Sequence, residues 1–184
     1  MVAEQSKWNM KSFRIHFAEQ EIGFLQKRIR SSRLPLIDSD GDWSLGTNGA
    51  YLRSLLHHWC EEYDWHREEE YLNRFPQFTC ELDGLTIHFF HIRSAHENAP
   101  ALLLTHGWPD SFLRYAKLFP LLTGYHLVVP SLPGFAFSTL PKKGYMNNAE
   151  TAEVWHKLMT EVLGYREYAA SGGDMGRGDR KSVV

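Results

Sequence analysis

Two short apolar runs, Ala101–Thr105 (ALLLT) and Tyr125–Pro130 (YHLVVP), do most to limit what this chain can fold into. Each is too short for a helix, and each gives way to a segment rich in Gly and Pro. That is the pattern of strands buried on both faces in an α/β sheet. Helical segments alternate with them. SFLRYAKLFPLLT (111–123) reads as a helix interrupted near Pro120. In ETAEVWHKLMTEVLG (150–164), Trp155, Leu158, Met159, Val162 and Leu163 recur at the spacing of one helical face. Asn148 or Thr151 is the expected cap of this helix. YREYAASG (165–172) reads as a further strand. Strands alternating with helices predict an α/β fold built on a parallel sheet.

Upstream, the texture changes. FTCEL and LTIHFFHIR flank Asp83-Gly84, a strong two-residue hairpin signal. Before Phe78 the chain reads as helical. Ile22, Leu25 and Ile29 form one apolar stripe, and Leu52, Leu55, Leu56 and Trp59 form a second. EYDWHREEEYLNRF continues as a third, shorter helix. Trp43, Trp59 and Trp65 in this arm are expected to pack. The expected division is a helical region at 1–77, a partial α/β core at 78–176 and a tail at 177–184.

Composition narrows the function classes. With 43% hydrophobic residues, 14% aromatic and a net charge of −2, the chain has a core to build and no basic footprint for nucleic acid. Cys60 and Cys80 read as free thiols. No signal peptide or membrane-spanning run is evident, so a soluble cytoplasmic protein without a membrane anchor is expected. Asp38-Ser39-Asp40-Gly41-Asp42 imitates a calcium loop, but its glycine is misplaced and Gly49 stands where a glutamate is needed. His57 and His58 lie mid-helix. His88 and His91 are three apart on a strand and face opposite sides. No metal site and no cofactor are expected.

Chemistry concentrates in two loops. Gly172-Gly173-Asp174-Met175-Gly176 has the form small-x-nucleophile-x-small directly after a predicted strand. That is a nucleophile elbow with Asp in the place of Ser. A carboxylate is ionised at neutral pH and attacks a saturated electrophilic carbon without a general base. The same residues also suit a plain turn with an Asx hydrogen bond. Leu104-Thr105-His106-Gly107-Trp108-Pro109 follows the ALLLT strand, where this architecture draws one oxyanion N–H. The residue after the nucleophile supplies the other. The expected donors are the backbone N–H groups of Trp108 and Met175. The two motifs occur in the right order, each after a strand. A third loop, Pro130–Ser138 (PSLPGFAFS), follows YHLVVP.

These motifs, with FRIHFAEQEIGFLQKRIRSSRLP and LLLTHGWPDSF, resemble the epoxide hydrolases of the α/β-hydrolase superfamily, in the microsomal and juvenile-hormone branch. The resemblance spans roughly residues 12–176. It implies the N-terminal half of an α/β-hydrolase sheet preceded by a helical arm, without the lid and C-terminal half. It implies Asp174 as nucleophile, Trp108 and Met175 as oxyanion donors, His106 and Gly107 in the His-Gly-x-Pro loop, and a small apolar epoxide as substrate. Met175 departs from the family's usual Trp, and Asp110 from its commoner Gly. The family's order is nucleophile, acid, histidine, yet all ten histidines precede Asp174. A truncated, inactive member of an epoxide hydrolase lineage is therefore expected. A dehalogenase-like hydrolase and a non-catalytic binding fragment are the alternatives. One back-translation of DRKSVV plus a stop codon reads as a sequencing-library adapter, so the tail is expected to be foreign. On the same ground Arg177-Gly178-Asp179 is not expected to act as an adhesion motif.

Overall fold

A computed structural model describes residues 8–34, 43–44, 46–174 and 176. The calcium-like stretch Asp38–Asp42 and the tail 177–184 lie outside the described residues. The chain forms two compact units, Ile15–Leu72 and the described residues of Met1–Arg14 with Asn73–Val184.

The second unit is a six-stranded sheet. Its strands are β1 (Lys11–Phe13), β2 (Gln77–Leu82), β3 (Leu85–Ile92), β4 (Ala101–Thr105), β5 (His126–Pro130) and β6 (Tyr168–Gly172), in the order β1-β2-β3-β5-β4-β6. The sheet is mixed, where a parallel one was expected. Only β5, β4 and β6 run parallel, while β1, β2 and β3 join antiparallel. A two-residue hairpin forces the antiparallel pairing of β2 with β3. Asp83 and Gly84 take φ of 51° and 78°, so β2 and β3 pair from Leu82 opposite Leu85. β1 was not foreseen, because three residues are too few to show a period.

Strand burial follows the sequence pattern. All five β5 residues are buried. Leu82, Ile87, Phe89, Leu103 and Val128 share one core cluster with Trp155, Leu158 and Met159. The last three come from α5 (Asn148–Lys157) and the π-helical turn after it, Leu158–Val162. Leu163 N–H reaches back five residues to Leu158 O at 3.0 Å, so the expected single α-helix widens before Gly164. Its cap is Asn147 rather than Asn148 or Thr151. The Asn147 side chain accepts from Glu150 N–H, and Glu150 reciprocates at Asn147 N–H, each at 2.9 Å.

The helix expected over 111–123 shrinks to α4 (Leu113–Ala116). Leu118 and Leu121 N–H groups then bond three residues back, to Tyr115 O and Leu118 O. Pro120 offers no N–H and disfavours helical backbone at Phe119, so tight turns replace a continued helix.

The first unit holds α1 (Glu19–Arg30), α2 (Gly49–Glu61) and α3 (Trp65–Leu72). α1 has no buried residue, and α2 buries only Gly49 and Cys60. Leu55 and Trp59, read as part of an apolar stripe, are exposed. Trp65 does pack, edge-on to Phe17 and Tyr63, whereas Trp43 is 58% exposed beside Tyr51. Among the described residues no helix is long and apolar enough to cross a membrane.

Candidate active site

β4 and β6 are parallel neighbours, with Thr105 opposite Gly172. The loops that follow them therefore leave the sheet at the same end and the same level. The carboxyl end of parallel strands is where α/β folds present ligands. His106-Gly107-Trp108 thus meets Gly173-Asp174. Trp108 N–H donates to Asp174 Oδ2 at 2.7 Å. Asp174 sits at the exposed apex with φ +56°, a left-handed conformation that aspartate adopts more readily than most side chains.

Close approach explains the small residues. A Cβ on Gly107 would run into the Asp174 carboxylate and lie 2.6 Å from Asp174 Cβ. One on Gly176 would lie 2.5 Å from Thr105 O and 2.8 Å from His106 O. Only glycine lets these backbones close on each other. Two residues that the sequence reading passed over lock the contact. Thr105 Oγ1 donates to Gly176 O at 2.9 Å, and Tyr115 Oη donates to Thr105 O at 2.7 Å. Nothing in their periodicity marks them, since Thr105 merely ends an apolar run.

His106 is fully buried behind the loop. Leu132 N–H donates to its Nε2, and its Nδ1 lies 3.0 Å from Gly107 O. An acceptor Nε2 leaves the proton on Nδ1, so the ring is neutral with one fixed tautomer. Burial pushes its pKa down, partly opposed by the bond to Gly107 and the charge of Asp110. Trp108 itself is 65% exposed, and the Trp108-Pro109 peptide is cis. Asp110 accepts from Ser111 N–H and from Arg114 Nε one turn on, which gives this departure from the family a local partner. Arg114 is held above its ordinary pKa, first by Asp110 and to a lesser degree by Asp174.

The structure thus brings Asp174, Trp108, Gly107 and His106 into one cluster. Met175, the second expected donor, lies outside the described residues. His88 and His91 go to separate surroundings. His88 meets Ser131 and Gln77, while His91 meets Tyr165. Among the described residues no three His, Cys, Asp or Glu side chains converge on a possible metal position.

The sequence matches the family described as epoxide hydrolase N terminus over residues 10–115, and the α/β hydrolase fold over residues 100–176. It is 44% identical over 177 residues to a putative epoxide hydrolase of Stigmatella aurantiaca, covering 90% of this chain and 40% of that protein. Among solved structures, the Aspergillus niger epoxide hydrolase superposes with a TM-score of 0.83 at 32% identity, over 93% of this chain and 48% of that one. The juvenile hormone epoxide hydrolase of the silkworm Bombyx mori gives 0.83 at 32%, over 97% and 50%. The chain spans half or less of the length of these relatives. The N-terminus match covers more than half of the sequence, and the chain superposes on solved epoxide hydrolases over nearly its whole length. The chain belongs to the epoxide hydrolase family that bears this N-terminal region, on an α/β-hydrolase fold.

Proposed function

We propose that this chain carries the nucleophilic half of an epoxide-opening site, with Asp174 as the nucleophile. The observation behind this reading is the 2.7 Å bond from Trp108 N–H to Asp174 Oδ2, made between the ends of adjacent parallel strands. That bond turns Oδ2 toward the loop and leaves Oδ1 to attack. Oδ1 bonds to a ring carbon of a small apolar epoxide, the ring C–O bond breaks, and the epoxide oxygen takes a proton from solvent water, leaving hydroxide. The product is an alkyl ester of Asp174.

Release requires water to attack the ester carbonyl carbon. Negative charge then gathers on Oδ2, where Trp108 N–H already points. Such a donor contributes typically 10²- to 10³-fold to the rate. Met175 N–H is the proposed second donor. Collapse of the intermediate frees the diol and restores the carboxylate. This step also needs a base to take a proton from water. His106 is not that base, since it spends both ring nitrogens on the backbone. On this reading the described residues suffice to form the ester, and its release waits on a base.

The test is intact-protein mass after incubation with styrene oxide. The expected result is one stable adduct, mapped to Asp174 and absent in Asp174→Asn. A chloroalkane run in parallel separates the dehalogenase alternative, since an adduct from the chloroalkane alone would overturn the epoxide assignment. No adduct from either reagent, in a chain shown to be folded, would leave Asp174 as a plain turn residue.

A further inference from the structure

A line of hydrogen bonds runs from the middle of the sheet to Asp174, and every donor in it points the same way. It starts at β3, where His88 N–H donates to Ser138 Oγ at 3.0 Å. Ser138 Oγ donates onward to Ser131 O at 2.8 Å. That carbonyl belongs to the Ser131–Leu132 peptide, whose N–H donates to His106 Nε2 at 3.0 Å. His106 Nδ1–H donates to Gly107 O at 3.0 Å. The Gly107–Trp108 peptide passes the direction on, and Trp108 N–H ends on Asp174 Oδ2 at 2.7 Å. Two peptide planes are thus each gripped at both ends, and one imidazole joins them.

Burial makes the line effective. His88, Ser131 and His106 have no exposed surface, and Ser138 and Leu132 are buried. Water does not compete for these groups, and donors aligned head to tail polarise one another in a medium of low dielectric. Ser131 has independent anchors, since its N–H donates to His88 O and its Oγ to His88 Nδ1, both at 2.9 Å. His88 Nε2–H in turn donates to Gln77 Oε1 at 3.1 Å. The loop Leu132–Ser138, which contains no group of the reacting set, therefore has a rigid seat.

We propose that Ser138 is a positioning residue: through Ser131, Leu132 and His106 it fixes the Gly107–Trp108 peptide so that Trp108 N–H is aimed at Asp174. The bonds of Ser138 go to His88, Ser131 and Phe135 and not to Asp174, so it acts only through the peptides and the imidazole between. The consequence for chemistry rests on Asp174 being the nucleophile. The geometric part does not.

The test has two levels. On the unsubstituted chain, nitrogen NMR of His106 reports its tautomer. The neutral Nδ1–H form is expected, and an Nε2–H form would break the line and overturn the proposal. Next, Ser138→Ala is compared with Ser138→Thr, which keeps the hydroxyl, and with Phe119→Leu as a control. Phe119 packs on Phe75 and Phe90 and belongs to no link of the line. In S138A the Trp108 amide proton moves upfield and exchanges about tenfold faster, as loss of one buried bond in a cooperative series predicts. S138T restores both, and F119L moves neither at matched loss of thermal stability. An unmoved Trp108 amide in S138A, or an equal movement in F119L, would sink the assignment. If S138A does not fold, the tautomer measurement decides alone. The adduct rate with styrene oxide falls in parallel in S138A. Should the amide respond while no adduct forms even on the unsubstituted chain, the positioning role stands and the epoxide reading fails.

Discussion

The two units are held by different forces. The sheet unit has an apolar core, with Trp155, Leu158, Met159, Phe89 and Ile87 fully buried. The helical unit buries little and is tied by polar contacts. Gln26 Nε2 donates to Cys60 O at 2.9 Å, and Phe17 N–H to Glu69 Oε2 at 2.8 Å. Arg30 pairs with Glu61, and His66 with Glu19. An apolar core repels charge whatever its sign, whereas a polar tie needs charge. The two units should therefore answer differently to acid, to truncation of side chains and to salt.

Acid gives the largest contrast. Burial lowers the pKa of His88 to about 3 and of His91 to about 4, the latter aided by Arg93 and His126. In the unfolded chain both return to about 6.5. The unfolded state then binds more protons, so this stability is complete above about pH 6.5 and is lost as the pH falls toward 4 and 3. Each such histidine costs about 1.4 kcal/mol per pH unit over its window, on the order of 4 to 5 kcal/mol in all for His88. His66, in the helical unit, moves the other way. The hydrogen bond to Glu19 raises its pKa, so its contribution is present below about pH 6.5 and fades as the pH rises through the raised value. Urea unfolding at pH 7 and pH 5, with residue-level hydrogen exchange, checks both directions. Equal stability of the sheet unit at the two pH values would refute the buried, neutral state of His88.

Side-chain truncation comes next. Trp155→Ala removes the largest fully buried side chain and should cost about 3–5 kcal/mol of global stability, measured by denaturant midpoint. A loss below about 1 kcal/mol would mean that the core is loosely packed. The contrasting change is Leu55→Ala on α2, where the side chain is exposed. Its cost is expected within about 0.5 kcal/mol, the range of ordinary surface substitutions.

The same contrast decides what could be read from sequence. The strands β4 and β5, the hairpin at Asp83-Gly84 and the Trp155 face were legible, because core burial imposes a period and tight turns demand particular residues. The close approach of the two loops was legible for the second reason, since Gly107 and Gly176 stand where any Cβ would collide. What stayed hidden depends on pairing. β1 exists because Lys11–Phe13 lies beside Gln77–Thr79. The line from Ser138 to Trp108 joins loops far apart in the chain, and neither Ser131 nor Ser138 carries a mark of its own. In the helical unit the pattern misled, because Leu55 and Trp59 follow the helical period yet lie exposed.

Helix caps sharpen the comparison further. Asn48 accepts from Tyr51 N–H at 2.9 Å and caps α2, while Asn147 makes a reciprocal box at α5. Replacing either by Ala should cost about 1 kcal/mol. The two losses should appear in different places. Asn147→Ala loosens a helix whose face carries Trp155, so it should shift the global midpoint. Asn48→Ala should speed amide exchange within α2 and move the midpoint less. Equal global shifts would show that α2 is as strongly coupled to unfolding as α5.

The smallest effect is also the most specific. Arg30 Nη2 and Nε both reach Glu61 Oε1, at 2.9 and 3.1 Å, and the pair joins α1 to α2 across solvent-exposed side chains. The hydrogen bond to Glu61, and then its charge, hold Arg30 above its ordinary pKa. A pair so exposed is screened by salt and contributes little on its own. Arg30→Gln should therefore lower thermal stability by less than either cap substitution, and the deficit should vanish in about 1 M salt, where the Debye length is near 3 Å. A deficit that survives high salt would place the contribution in the packing of the Arg30 stem, with the charge incidental. The helical unit would then resemble the sheet unit more closely than its exposed stripes suggest.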